Sequence, residues 1–171
     1  MDERSGLVTF KGGPLTLIGD EIKVGDVAPD VELLDNNLNP VRLSSFKEKL
    51  CIISSVPSLD TPVCDAQTRR FNQEAAGLGP DVVVLTVSMD LPFAQKRWCG
   101  AAGIERVTPL SDHRDANFGT SFGLLIKELR LLARAVIIVD REGRVQYVQL
   151  VKELTNEPDY EPVLKAMKEL M

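Results

Sequence analysis

Cysteine is scarce in this chain: three residues in 171, Cys51, Cys64 and Cys99, with no C-x-x-C pair among them. So few thiols exclude a disulfide-stapled scaffold and point to individual thiols in a reducing compartment. Histidine is scarcer, with His113 alone. Without paired Cys or His spacing, a structural zinc site lacks its ligands. No apolar run approaches the ~20 residues of a membrane span, and the opening MDERSGLVTF lacks the ~7–15-residue apolar core of a signal peptide. The expectation is a cytoplasmic protein without a membrane partner. Basic clusters are also missing. Twenty Lys and Arg face 25 Asp and Glu, a formal charge of −5, and nucleic acid, which needs a concentrated positive footprint, is excluded as a partner.

What is present is an ordinary globular composition, 44% apolar and 26% charged, on a chain of the length of one domain, residues 1–171. Two short apolar runs around Gly12, Gly13 and Pro14 read as an N-terminal hairpin, an addition to the main fold. Val31 to Leu34 and Val41 to Leu43 are weak strand candidates separated by turn residues. Leu50 to Val56 is a β-branched run, followed by a helix from Pro62 to Ala76. Asp81 to Ser88 is a nearly continuous apolar strand, the pattern of a sheet covered on both faces, and Pro92 to Ala102 follows as a helix. Val107 to Leu110 precedes a helix over Asp115 to Phe122. Ala135 to Asp140 and Val145 to Leu150 form an antiparallel pair around Glu142-Gly143. The chain closes in an amphipathic helix, Pro158 to Met171. The order predicts an α/β fold, a mixed sheet with helices on both faces.

The segment PSLDTPVCDAQ carries the chemistry. Thr61 is a good N-cap, and Pro62 suits the first helical position because its missing N–H has no intrahelical partner anyway. Cys64 then falls at the third position, facing unpaired backbone N–H groups and the positive end of the helix dipole. Thiolates so placed are stabilised and reactive. A nucleophile and a small buried hydrophobe are the two readings of such a residue. Arg69 and Arg70 lie roughly 140° and 240° around the helix from Cys64, so a counterion must come from elsewhere. Arg134 interrupts the apolar run LLARAVIIV, where an unpartnered guanidinium is costly to bury. It reads equally as a site cation or as a strand-start residue facing solvent. Cys51 sits at the far end of the first long strand, roughly 16 Å of extended chain away, too far for a disulfide with Cys64. Cys51 belongs to the core. Cys99, in RWCGAAG, lies late in a helix beside Gly100 and Gly103, residues that weaken helices and allow local unwinding toward Cys64.

Pro57, Thr61 and Cys64 match the peroxiredoxin pattern of Pro, three residues, Thr or Ser, two residues, Cys. With VPSLDTPVC, VSMDLPFAQKRWCG, LSDHRDANFG, LLARAVIIVD and EPDYEPVL, the chain resembles the bacterial thiol peroxidase branch of that family over nearly its whole length. The resemblance implies a thioredoxin-like fold and cofactor-free reduction of hydrogen peroxide and alkyl hydroperoxides. It implies that Cys64 is the peroxidatic cysteine and Cys99 the resolving one, joined in a disulfide that thioredoxin reduces. Thr61 is then the hydroxyl partner of thiolate and peroxide, Arg134 the active-site guanidinium, and Pro57 the shield of the pocket. A homodimer is also implied. Two departures stand out: Trp98 occupies a position where Phe is common, and Cys51 is an extra thiol.

Three other classes compete on the residues alone. A thioredoxin-type oxidoreductase lacks its C-x-x-C here. A cysteine hydrolase would have to pair Cys64 with His113, which reads as a loop residue. A binding module with purely structural thiols would leave Cys64 inert to peroxide.

Overall fold

The computed structural model describes residues 1–171. Strands β1 (Glu3–Phe10) and β2 (Gly13–Ile18) form the N-terminal hairpin, followed by β3 (Glu32–Leu34), β4 (Pro40–Arg42) and β5 (Leu50–Ser55). Helix α1 (Pro62–Ala75), β6 (Val82–Ser88), α2 (Pro92–Ala102), β7 (Thr108–Ser111) and α3 (Asn117–Ser121) come next. Two short strands, β8 (Leu125–Ile126) and β9 (Leu131–Leu132), precede β10 (Ala135–Val139), β11 (Val145–Leu150) and α4 (Tyr160–Leu170). Seven strands form one sheet in the order β11-β10-β5-β6-β7-β3-β4, and four form a second, β1-β2-β8-β9. In the large sheet β5, β6 and β7 run parallel while β10 lies antiparallel to β5. This is the expected mixed α/β, thioredoxin-like architecture.

The apolar runs split by parity. Leu50 and Ile52 of β5, with Val84, Val136 and Ile138, pack on Phe71 of α1 and on Val163 and Met167 of α4. Their neighbours Cys51 and Ile53, with Leu85, Val87 and Ile137, face the other way, onto Phe118, Phe122 and the small sheet. Successive strand residues point to opposite faces, so an unbroken run fills two cores at once.

The hairpin is more than an addition. Its turn is Lys11-Gly12, both at positive φ (50° and 81°), which matches strand twist in a two-residue loop. Val8, Leu15 and Leu17 enter the main core beside Phe118 and Leu125. The docking depends on β8 and β9, two-residue strands too short to carry a periodic pattern in the sequence. Glu153 ties down the turn from outside, accepting from Thr9 Oγ1, Lys11 N and Gly12 N.

Helix α3 is shorter than the predicted Asp115 to Phe122. Ala116 adopts a left-handed conformation (φ 54°), which stops the helix from starting earlier. The buried Asp112 carboxylate reaches forward to accept the N–H groups of Phe118 at 3.0 Å and Gly119 at 2.8 Å.

Burial pushes the Asp112 carboxyl up to about 6, against the lowering effect of those two N–H donors. Its folded value is therefore above the ~3.9 of an unfolded chain. Between these values the folded state holds the extra proton, so this group's contribution to stability falls as pH rises from about 4 to 6. The unfolding free energy of the native chain minus that of Asp112→Asn should fall by about 2 kcal/mol across that window. A difference that stays flat or rises with pH in urea titrations contradicts the assignment.

Candidate active site

Helices α1 and α2 both begin at the carboxyl ends of parallel strands, β5 and β6, the edge where α/β folds assemble their sites. Thr61 is the N-cap of α1 with extended backbone (φ −97°, ψ 147°), Pro62 is the first helical residue and Cys64 the third. The Thr61 hydroxyl accepts the Cys64 N–H at 3.4 Å and donates its own proton to the Ser58 carbonyl at 3.0 Å. That carbonyl also receives the Thr61 N–H at 3.2 Å. The Val63 N–H donates to no group of the chain. It remains a donor at the positive end of the helix.

Cys64 is wholly buried in a small apolar cluster with Val56 and Leu59, against which Trp98 of α2 packs. Pro57, next to Val56, is buried as well. The Trp98 indole N–H donates to Asp65 Oδ1 at 2.9 Å, and Arg69 Nε donates to Asp65 Oδ2 at 2.9 Å. The Arg69 guanidinium lies 5.7 Å from the centre of the indole ring. Arg70 pairs with Glu74 and stacks over Tyr160. As the helical angles predict, neither arginine makes a hydrogen bond to the thiol.

The two readings of Arg134 are separated by its exposure of 2%: it is a buried cation. Its Nε and Nη2 donate to the Leu154 carbonyl at 3.1 and 2.8 Å, and Nη1 donates to Gln67 Oε1 at 2.9 Å. Gln67 in turn donates to Ser54 Oγ at 2.7 Å. None of these bonds goes to Cys64 Sγ. Gln67 lies three residues past Cys64, on the same helical face, and so brings the guanidinium toward the first turns of α1.

Cys99 is half-buried in the eighth position of α2, and all three cysteines are free thiols. Burial pushes the Cys99 thiol above its ordinary range. Helix α2 ends at Gly103 in the left-handed conformation (φ 70°). Cys51 lies on β5 at the opposite end of the strand from α1, where it lines a cavity of about 200 Å³ with Phe46, Leu85 and Val139. Burial raises its thiol to about 11. His113 occupies the turn after β7, its backbone N–H on Ser111 Oγ, remote in the chain from the α1 turn. No group of three or more His, Cys, Asp or Glu side chains forms a metal site.

Three polar residues of this region escape a reading of the sequence. Gln67 is an unremarkable helix residue until Arg134 is seen beside it, and Asp65 until Trp98 is. Asp90 accepts from Ser58 Oγ at 2.7 Å and Leu59 N at 2.8 Å. The only signal for it is its place in VSMDLPFA, just after a strand.

The Redoxin family model matches residues 23–164. A thiol peroxidase of Bacillus subtilis (strain 168) is 60% identical over 164 residues, covering 96% of this chain and 98% of the relative. One from Staphylococcus epidermidis is 50% identical over 163 residues, covering 95% and 98%. The crystal structure of a peroxiredoxin-like protein from Aquifex aeolicus superimposes with a TM-score of 0.91 at 46% identity, over 98% of both chains. A thiol peroxidase from Chromobacterium violaceum shares the fold at a TM-score of 0.84 and 22% identity, over 95% of each chain. With a free thiol at the start of α1, and relatives that match it from end to end, the chain belongs to the Redoxin family and, within it, to the thiol peroxidases.

Proposed function

We propose that Cys64 is the peroxidatic thiol of a thioredoxin-dependent peroxidase and Cys99 its resolving partner. The observation that carries this reading is the N-terminal turn of α1: a cysteine at the third helical position, a threonine hydroxyl on its N–H, and a spare N–H at Val63. The Cys64 thiolate attacks one oxygen of the hydroperoxide. An S–O bond forms, the O–O bond breaks, and the departing alkoxide or hydroxide leaves as alcohol or water after taking a proton. The helix N-terminus, the Val63 N–H and the Arg134 charge favour negative charge there. Thr61 has already given its proton to Ser58, so its free lone pair accepts the peroxide O–H and orients it. Pro57, buried beside Val56, keeps water from the pocket floor.

The product is a Cys64 sulfenic acid. Cys99 condenses with it, forming an S–S bond and releasing water before further oxidation. Thioredoxin reduces the disulfide by exchange through a mixed disulfide. Cys64 lies in the first turn of α1 and Cys99 seven residues beyond the start of α2, roughly 10 Å along it, and in this reading one or both helices unwind locally to bring the Cα atoms within ~7 Å. The raised Cys99 thiol supports this order of events, since exposure on unwinding removes the burial that keeps it protonated. The reading also has residues 1–171 working as one domain, supported by a core that both sheets share. No helix is long and apolar enough to cross a membrane. A cytoplasmic setting accords with three free thiols, and exposed Leu91 and Phe93 at the start of α2 give a homodimer apolar surface to bury.

Thioredoxin-coupled peroxide turnover tests the division of labour. Cys64→Ser should abolish it and Cys51→Ser should leave it nearly intact. Cys99→Ser should permit one oxidation without recycling and leave Cys64 open to sulfinic acid formation, and peptide mapping of the oxidised native chain should find a Cys64–Cys99 link. Undiminished turnover by Cys64→Ser, or the absence of that link, overturns the corresponding role. Arg134→Met should slow iodoacetamide alkylation of Cys64 at pH 7, by about tenfold if the charge contributes roughly 1.4 kcal/mol. An unchanged rate removes Arg134 from the site.

A further inference from the structure

The loop before α1 and the loop before α2 meet at one side chain. Asp90 follows β6 and precedes Pro92, the first residue of α2. It is half-buried, and its two oxygens accept from Ser58 Oγ at 2.7 Å, Leu59 N at 2.8 Å and Ser88 Oγ at 2.8 Å. Ser88 Oγ receives Gln95 Nε2 of α2 at 2.9 Å and the Asp90 N–H at 3.3 Å. The Asp90 carbonyl is itself held by the Ser111 hydroxyl. Gln95 and Ser88 are wholly buried. A half-buried carboxylate receiving three donors is a directional anchor.

What the anchor holds is the Ser58 to Thr61 turn. Ser58 Oγ donates to Asp90 and receives the Asp60 N–H at 3.2 Å, while the Ser58 carbonyl takes both the N–H and the hydroxyl proton of Thr61. Thr61 can act as an acceptor in the pocket only while its proton is committed to Ser58. We infer that Asp90 is a positioning residue for peroxide reduction: by clamping Ser58 and Leu59 it fixes the carbonyl that turns the Thr61 hydroxyl into an acceptor above Cys64. This inference rests on the reading of Cys64 as the peroxidatic thiol. Through Ser88 and Gln95 the same carboxylate fastens that turn to the helix carrying Cys99.

The consequence separates two reactions of one sulfur. Alkylation by iodoacetamide needs the thiolate but no hydroxyl acceptor, whereas peroxide needs both. Asp90→Asn should lower the second-order rate constant for Cys64 oxidation by hydrogen peroxide by about tenfold or more, the scale of one misplaced hydrogen bond to a charged group, while iodoacetamide alkylation changes less than about twofold. In a Thr61→Val background, Asp90→Asn should cost less than about a further twofold, because residues acting through one another are not additive. Ser58→Ala, which cuts the Ser58 link while Leu59 N keeps its bond to Asp90, should reproduce the split and serves if Asp90→Asn fails to fold. Parallel losses of oxidation and alkylation, or an undiminished effect of Asp90→Asn without the Thr61 hydroxyl, overturn the positioning role. Cys64→Ser run alongside keeps the two ideas apart: peroxide consumption that survives in it refutes the peroxidatic reading itself, whatever Asp90 does.

Discussion

The first turn of an α-helix carries backbone N–H groups with no carbonyl to meet, and the architecture of this protein is arranged around how α1 disposes of them. One goes to the Ser58 carbonyl, one is missing because the residue is Pro62, one is capped by the Thr61 hydroxyl, and that of Val63 is free. The Cys64 side chain is buried beside this turn in an apolar cluster with Val56 and Leu59. These N–H donors keep their places only while the turn holds its shape. The turn has rigid support: the buried strand β5 leads into it, Gln67 of α1 is held by Arg134, and Ser58 and Leu59 are held by Asp90.

The support is also what resolution must undo. Trp98 packs on the Cys64 cluster and bonds to Asp65, one residue beyond the thiol, so α2 closes over α1 next to both cysteines. Trp98, which helps bury Cys64, is the sequence neighbour of Cys99. A half-exposed Asp65–Arg69 pair and a single indole bond are modest interactions, and Gly103 ends α2 in a left-handed turn. In the proposed cycle a firmly held thiol is covered by contacts of modest strength.

Much of this could be read from the sequence. Thr61, Pro62 and Cys64 are local signals whose spacing alone sets the start of α1, and the nearly continuous apolar run of β6 announces a sheet covered on both faces. What resisted reading was whatever depends on partners distant in the chain. The hairpin's place in the core depends on two-residue strands without periodicity. The start of α3 depends on a carboxylate reaching forward from Asp112. Arg134 could be read as inside or outside until Gln67 and Leu154 were seen to hold it, and Asp90 carried no pattern of its own because its role lies in joining two loops 30 residues apart. Polar side chains that organise a site write less into the local sequence than apolar ones that fill a core.

The central claim is that the sulfur at the start of α1 is the atom peroxide oxidises. Its most direct test uses Cys99→Ser, in which a sulfenic acid cannot be drawn off into the proposed disulfide. One equivalent of hydrogen peroxide is added in the presence of dimedone, and the adduct is located by tandem mass spectrometry. The account predicts a single adduct on Cys64, with Cys51 unmodified. An adduct on Cys51, or none on Cys64 while peroxide is consumed, would contradict it.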